Sequence, residues 1–212
     1  MPTEKSLLNY AILASYQAEE LERLLKNLLF YNKVEKEDII IAVDSDTATA
    51  EVRQIIERYE ISSYDNPLNK DFAQQRNFLK SKCINPYIFY LDCDEIPNYL
   101  LVQNLPKILE ANPTTEILGV PRLNLIDFDI DVDLIDQPFL QTDQLGRVQF
   151  PDFQFRVIKN DEKISWEGKL HEIPVGGEVF LLEPSMANCI IHEKTASSQL
   201  KRESFYSTIK NV

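Results

Sequence analysis

Two unbroken apolar runs, Ile39-Ile40-Ile41-Ala42-Val43 and Tyr87-Ile88-Phe89-Tyr90-Leu91, constrain the fold more than any other feature. A strand with no polar alternation has to be covered on both faces, as in a parallel sheet flanked by helices. The segments between these runs supply the helices. Leu21, Leu24, Leu25, Leu28 and Leu29 share one face of a helix over Gln17–Tyr31, with Glu19 and Glu20 in its first turn. Val52, Ile55, Ile56 and Tyr59 recur at helical spacing, and Phe72–Ser81 reads as a third helix. Tyr10–Ala14 and Ile61–Tyr64 read as additional short strands. The alternation predicts an α/β fold with a mostly parallel sheet between helices.

The second half is less regular. Leu100–Glu110 reads as a helix despite Pro106, and Ile117–Leu123 as a strand. Phe153, Phe155 and Val157 alternate with Gln154 and Arg156, which predicts a strand with one solvated face. Gly176-Gly177 marks a turn between Leu170–Val175 and Val179–Leu182, and Ser197–Lys210 reads as a terminal helix. Without a linker-like tract, the expectation is one domain over 1–212, with a first half of about residues 1–99 and a second of about 100–212.

At 212 residues the chain is long enough for one sizeable core. A net charge of -12 argues against nucleic acid as the main partner, since phosphate backbones require clustered Lys and Arg. A nucleotide ligand is compatible with that charge if a bound cation offsets it locally. Cys83, Cys93 and Cys189 form no CxxC pair, and Met1–Tyr10 carries no apolar signal segment. Together with the lack of a bilayer-length apolar run, these predict a soluble cytoplasmic protein with free thiols.

In an open α/β sheet, ligands bind beyond the carboxyl ends of the strands. Tyr10–Ala14 leads to Ser15 and Tyr16, Ile39–Val43 to Asp44, and Tyr87–Leu91 to Asp92-Cys93-Asp94. If these strands are neighbours, the polar groups converge on one edge. Paired carboxylates there suit Mg²⁺ or Mn²⁺, hard cations that share their shell with substrate phosphates. The competing reading has Asp94 or Glu95 capping a helix whose first turn holds Pro97, with Ser45 and Thr47 as turn residues.

Several segments, kept in order, resemble family 2 glycosyltransferases. Ile12–Glu20 looks like their opening strand and turn, and Ala42–Thr47 is similar to their second acidic motif. Asp71-Phe72-Ala73-Gln74-Gln75-Arg76-Asn77 matches the segment preceding the metal motif in the lipopolysaccharide-core and capsule branch. Leu91-Asp92-Cys93-Asp94-Glu95 falls where the Asp-x-Asp falls, and Trp166–Glu172 resembles an acceptor-side segment ending in His-Glu.

The resemblance implies a GT-A fold that transfers a sugar with inversion from a nucleotide-sugar donor to a glycan or lipid-linked acceptor. The first half would bind donor and the second half acceptor, at the inner face of the membrane or free of it. Ser15, Tyr16 and Asp44 would line the base and ribose site, with Arg76 near the diphosphate. Asp92 and Asp94 would hold a divalent metal, directly or through water, with His192 as a third ligand. Glu172, His171 and Asp152 are the candidates for the general base. The chain departs from the family pattern at Ala14, Gln17 and Asp46–Thr49, which stand for Pro, Asn and a Gly-containing turn.

Two rival readings come from the residues. A nucleotidyltransferase would carry a Gly-rich basic loop after the first strand, and Ser15–Glu20 has neither Gly nor Lys. A non-catalytic protein could bind Ca²⁺ through the alternating aspartates of Asp127–Asp136, although an EF-hand Gly is missing there.

Overall fold

The computed structural model describes residues 6–127, 144 and 148–195. The chain runs β1 (Leu8–Ala14), α1 (Ala18–Lys26), β2 (Ile39–Val43), α2 (Ala50–Tyr59), β3 (Ser62–Asp65), α3 (Phe72–Lys80) and β4 (Tyr87–Asp92). It continues through β5 (Glu95–Pro97), α4 (Tyr99–Ala111), β6 (Ile117–Asp127), β7 (Val148–Lys159), β8 (Ser165–Glu167), β9 (Ile173–Val175), β10 (Val179–Leu181) and β11 (Ile190–Thr195). The acidic stretch beyond Asp127 and the helix expected over Ser197–Lys210 lie outside the described residues.

The main sheet follows the order β3-β2-β1-β4-β7-β6-β11-β5, with β10 beside β6. β1, β2, β3 and β4 are mutually parallel; the apolar runs of β2 and β4 are buried on both faces, whereas β3, Ser-Ser-Tyr-Asp, is an exposed edge strand. β7 enters antiparallel between β4 and β6, and β11 runs parallel to β6. One core cluster packs Ile12, Ile41 and Phe89 against the leucines of α1 and the apolar faces of α2 and α4. The other packs Ala11, Ile88 and Tyr90 against α3 and Trp166. Period-2 alternation along the strands feeds these two clusters from opposite faces.

The starts of α2, α3 and α4 are capped by short polar side chains. Oγ1 of Thr49 accepts from Val52 N (3.3 Å), and Oδ1 of Asp71 accepts from Gln74 N (2.8 Å). Oδ1 of Asn98 accepts from Leu100 N at 2.8 Å, so Asn98 caps α4, not Asp94 or Glu95. Glu95 and Pro97 instead lie in β5, paired antiparallel with β11. α4 passes through Pro106, and the first expected helix ends as a π-helical turn over Asn27–Tyr31.

Gly176-Gly177 forms the expected turn between β9 and β10, although the two strands part there: β9 pairs with β8 in a separate two-stranded sheet, whereas β10 pairs with β6. Gly176 adopts φ 89°, and a Cβ there would lie 2.0 Å from Lys163 O. The alternation in β7 does not give the expected solvated face, because the strand bulges. Leu118 faces Val157 and Gly119 faces Phe155, so Arg156 is an extra residue in the ladder. The bulge turns its side chain inward, where it is 5% exposed.

Candidate active site

A cleft of about 750 Å³ opens at the carboxyl edge of β1, β2 and β4. Its lining includes Ser15, Tyr16, Asp44, Arg76, Asp92, Asp94, His171 and Glu172, so of the site residues singled out by sequence only Asp152 and His192 lie outside it. His192 reaches it from behind, through Asp94.

At the β1–β2 end, Asp44 is buried and organises the local backbone. Its Oδ1 accepts from Leu68 N (3.0 Å) and Asp46 N (3.3 Å), and its Oδ2 accepts from the Thr47 hydroxyl. Thr47 is also hydrogen-bonded to the Ser15 hydroxyl. With its own proton given to a carboxylate, Thr47 must accept from Ser15. Thr47 therefore ties the ends of β1 and β2 together, a role the sequence disguises because Thr is equally common in turns. Tyr16 is 57% exposed at the rim.

At the β4 end, Glu95 folds back beneath the Asp92-Cys93-Asp94 turn. Its Oε2 accepts from Asp92 N (3.1 Å), and its Oε1 accepts from Arg122 Nη1 (3.1 Å) and Arg156 Nη2 (2.6 Å). Asp92 receives Arg76 Nη2 on Oδ1 (3.0 Å) and Arg156 Nη2 on Oδ2 (2.5 Å). Burial alone would raise the Asp92 carboxyl. Arg156 and then Arg76 outweigh it and hold the group well below the usual carboxylate range. The Cys93 thiol donates to Leu13 O at 3.1 Å, and burial pushes it well above its usual value. All three cysteines are buried and unpaired with one another.

Arg76 connects this turn to the opposite wall. Its Nε donates to Glu172 Oε1 at 2.6 Å, while its guanidinium lies 4.9 Å from the Trp166 ring centroid and 5.7 Å from that of Tyr90. Nη1 has no hydrogen-bond partner among the described residues, and the two rings stand in for one. α3 also grips the Trp166–Glu172 loop through its neighbours. The Asn77 amide bonds reciprocally with the Trp166 backbone, at 2.9 Å each way, and Phe72 N donates to Lys169 O at 3.0 Å. Gly168 (φ 94°) and His171 (φ 58°) give the loop its tight path, which exposes His171 and turns Glu172 inward.

The third wall is built by β6, β7 and β11. Asp152 accepts from Arg122 Nε (2.9 Å), Arg122 Nη2 (2.6 Å), Asn124 Nδ2 (3.1 Å) and Gln154 Nε2 (2.7 Å). Burial opposes its ionised form, but Arg122 and these hydrogen bonds prevail and lower its carboxyl. So saturated, Asp152 is a structural anchor and not a base. His192 is 1% exposed, directly across β11 from Asn124 on one side and Glu95 on the other. Its Nδ1 lies 3.0 Å from Asn124 Oδ1 and its Nε2 lies 3.1 Å from Asp94 Oδ2.

That last separation bears on a metal. Adjacent ligands about 2.1 Å from a small octahedral ion lie about 3 Å apart. Asp94 Oδ2 and His192 Nε2 thus form a fitting pair of donors. Among the described residues no group of three His, Cys, Asp or Glu side chains could hold an ion alone. An ion here would need further ligands from substrate, as Mg²⁺ and Mn²⁺ commonly take from phosphates.

A mostly parallel sheet with an acidic turn at its carboxyl edge defines the nucleotide-sugar transferase type of α/β fold, GT-A. The model of glycosyl transferase family 2 matches residues 10–161. The chain belongs to glycosyl transferase family 2. Among solved structures, residues 1–349 of S. aureus TarS in complex with UDP-GlcNAc align with a TM-score of 0.59 at 14% identity, covering 89% of this chain and 59% of that one. The same TarS fragment without that ligand gives 0.58 at 12% identity, with 89% and 60% covered. This chain thus spans about three-fifths of the TarS fragment. No curated protein matches by sequence. Among the described residues, no helix is long and apolar enough to cross a membrane.

Proposed function

We propose that the protein is a metal-dependent inverting glycosyltransferase, moving a sugar from a nucleotide diphosphate donor to a glycan or lipid-linked acceptor. The observation that carries this reading is a single cleft in which one arginine, Arg76, touches both the Asp-x-Asp turn and Glu172 in a family 2 chain. The TarS complex with UDP-GlcNAc supports the donor class. The Asp71–Asn77 and Trp166–Glu172 segments support an acceptor of the lipopolysaccharide-core or capsule type.

Ser15, Tyr16 and Asp44 bind the base and ribose. Asp94 and His192 hold the metal; Asp92, with both oxygens on arginines, contributes through water or to the ribose. When bound, the ion supplies Lewis-acid stabilisation of the charge that develops on the leaving diphosphate. Glu172 is the general base. Arg76 fixes its Oε1, leaving Oε2 to take the acceptor's hydroxyl proton as the new C–O bond forms and the sugar–phosphate bond breaks. The nucleoside diphosphate leaves from the opposite face of the sugar. Residues 1–99 serve the donor and the remainder the acceptor.

Thermal unfolding with each nucleoside diphosphate, with and without Mn²⁺, tests the donor site. One nucleotide should raise the melting temperature only with metal, and Asp94→Asn should abolish that rise. Glu172→Gln should keep the rise yet lower turnover by about 10²–10⁴-fold, measured as nucleoside diphosphate release. A protein that melts cooperatively and responds to no nucleotide would refute the reading.

A further inference from the structure

His192 stands between two oxygens, and only one arrangement of its protons leaves it able to bind a metal. Asn124 sits directly across from it in the β6–β11 ladder. The Asn124 amide cannot turn freely, because its Nδ2 donates to Asp152 Oδ2 at 3.1 Å, on a carboxylate already fixed by Arg122 and Gln154. That bond commits Asn124 Oδ1 to His192 Nδ1, 3.0 Å away. A carbonyl oxygen only accepts, so Nδ1 must carry the proton. Nε2 is then the nitrogen turned to Asp94, whose carboxylate oxygen also only accepts, so a proton on Nε2 is the one a bound ion would displace.

We infer that Asn124 is a positioning residue that sets the His192 tautomer, with Asp152 orienting Asn124 in turn. This rests on the metal reading above and extends it to residues the sequence did not single out. In the opposite tautomer Nε2–H would donate to Asp94, which would blunt both metal donors at once. The relay Asp152–Asn124–His192–Asp94 is buried along its length apart from its two carboxylate ends, so water does not readily substitute for Asn124.

The chain has two histidines, so His171→Asn leaves one imidazole to observe. Long-range ¹H–¹⁵N correlation spectra of this background, free of metal and nucleotide, read the tautomer directly. The expected result is a protonated Nδ1, with Nε2 bare once Mg²⁺ and UDP are added. Asn124→Ala should move the proton to Nε2, whereas Asn124→Asp, which preserves an oxygen acceptor, should hold it on Nδ1. Mn²⁺ affinity in the presence of UDP, from the free-ion electron paramagnetic resonance signal, should fall about 10–100-fold in Asn124→Ala and recover in Asn124→Asp. A wild-type ring with Nδ1 bare, or an Asn124→Ala ring unchanged from wild type, would overturn the assignment. Absence of Mn²⁺ binding in every variant would refute the metal reading instead, and the metal-free spectra would still decide the role of Asn124.

Discussion

Arg156 and Asp92, 64 residues apart, meet at 2.5 Å because β7 bulges at Arg156. Asp92 thereby bridges two buried guanidinium groups, since Arg76 approaches its other oxygen, and Glu172 and Glu95 supply each arginine with a second carboxylate. The Asp92 side chain is 35% exposed while those of Arg76 and Arg156 are 3% and 6% exposed, so the carboxylate is the wet end of a buried cluster.

Removing that carboxylate leaves Arg76 on Glu172 and Arg156 on Glu95, each with one anionic partner fewer. Asp92→Ala is expected to destabilise the protein by about 1–3 kcal/mol in urea unfolding. Asp94→Asn keeps a partner for His192 and is expected to cost less than about 1 kcal/mol. Lost activity in the Asp92 variant therefore mixes chemistry with structure, and Asp94→Asn is the cleaner probe. Equal stability of the two variants would refute this division.

Acid should unfold the protein through these carboxylates. Arg156 and Arg76 lower Asp92 against its burial, and Arg122 does the same for Asp152. A depressed folded-state pKa contributes stability that is complete above the unfolded value of about 3.9 and is lost as pH falls towards the folded one. As far as these two groups set it, the melting temperature should be flat from pH 7 to about pH 5 and drop below about pH 4. Asp92→Asn should flatten the acid limb. Calorimetric scans across that range test the sign.

Trp166 is the only tryptophan, and it lines the cleft with its ring 4.9 Å from the Arg76 guanidinium carbon. A ligand that draws on Arg76 should change its emission, making intrinsic fluorescence a titration signal for donor binding. Arg76→Lys should keep a charge but lose the forked contacts to Asp92 and Glu172, and with them most of the response. A ligand that raises the melting temperature while leaving the emission unchanged would argue that the donor does not reach Arg76.

Gly176→Ala should be severe for a surface turn. The residue has φ 89°, and the added methyl would sit 2.0 Å from Lys163 O, a backbone atom with little room to move. A cost of about 2 kcal/mol or more is expected from the left-handed strain and the clash. Because β9 leads out of the Glu172 loop, chemical unfolding and turnover should suffer together.

The sheet's parallel half was legible because hydrophobicity there is continuous: Ile39–Val43 matches β2 residue for residue, and Tyr87–Leu91 is extended only by Asp92. Ser15, Asp44 and Asp92 followed from those strand ends. The arginines did not. Arg156 reads as a solvated position in an alternating strand, and only the bulge, which leaves no mark in composition, turns it inward. Asn124 and Glu95 were equally hidden: Asn124 acts through its cross-strand neighbour His192, and Glu95 through Arg122 and Arg156, partners that no local pattern announces. β5 is three residues long and ends in proline, too short for any period to register.

The bulge also changes what kinds of inherited change the protein can absorb. Side chains in a strand alternate, so a substitution in β7 touches one position while a length change touches all that follow. Deleting one residue at Arg156, by contrast, would restore a regular ladder, with Val157 still opposite Leu118 and Phe155 still opposite Gly119. The strand would gain ideal pairing and the cleft would lose the cation beneath Asp92. Point variation and single-codon deletion are thus unequal currencies in this strand, and lineages carrying the site should vary β7 in composition while keeping its length.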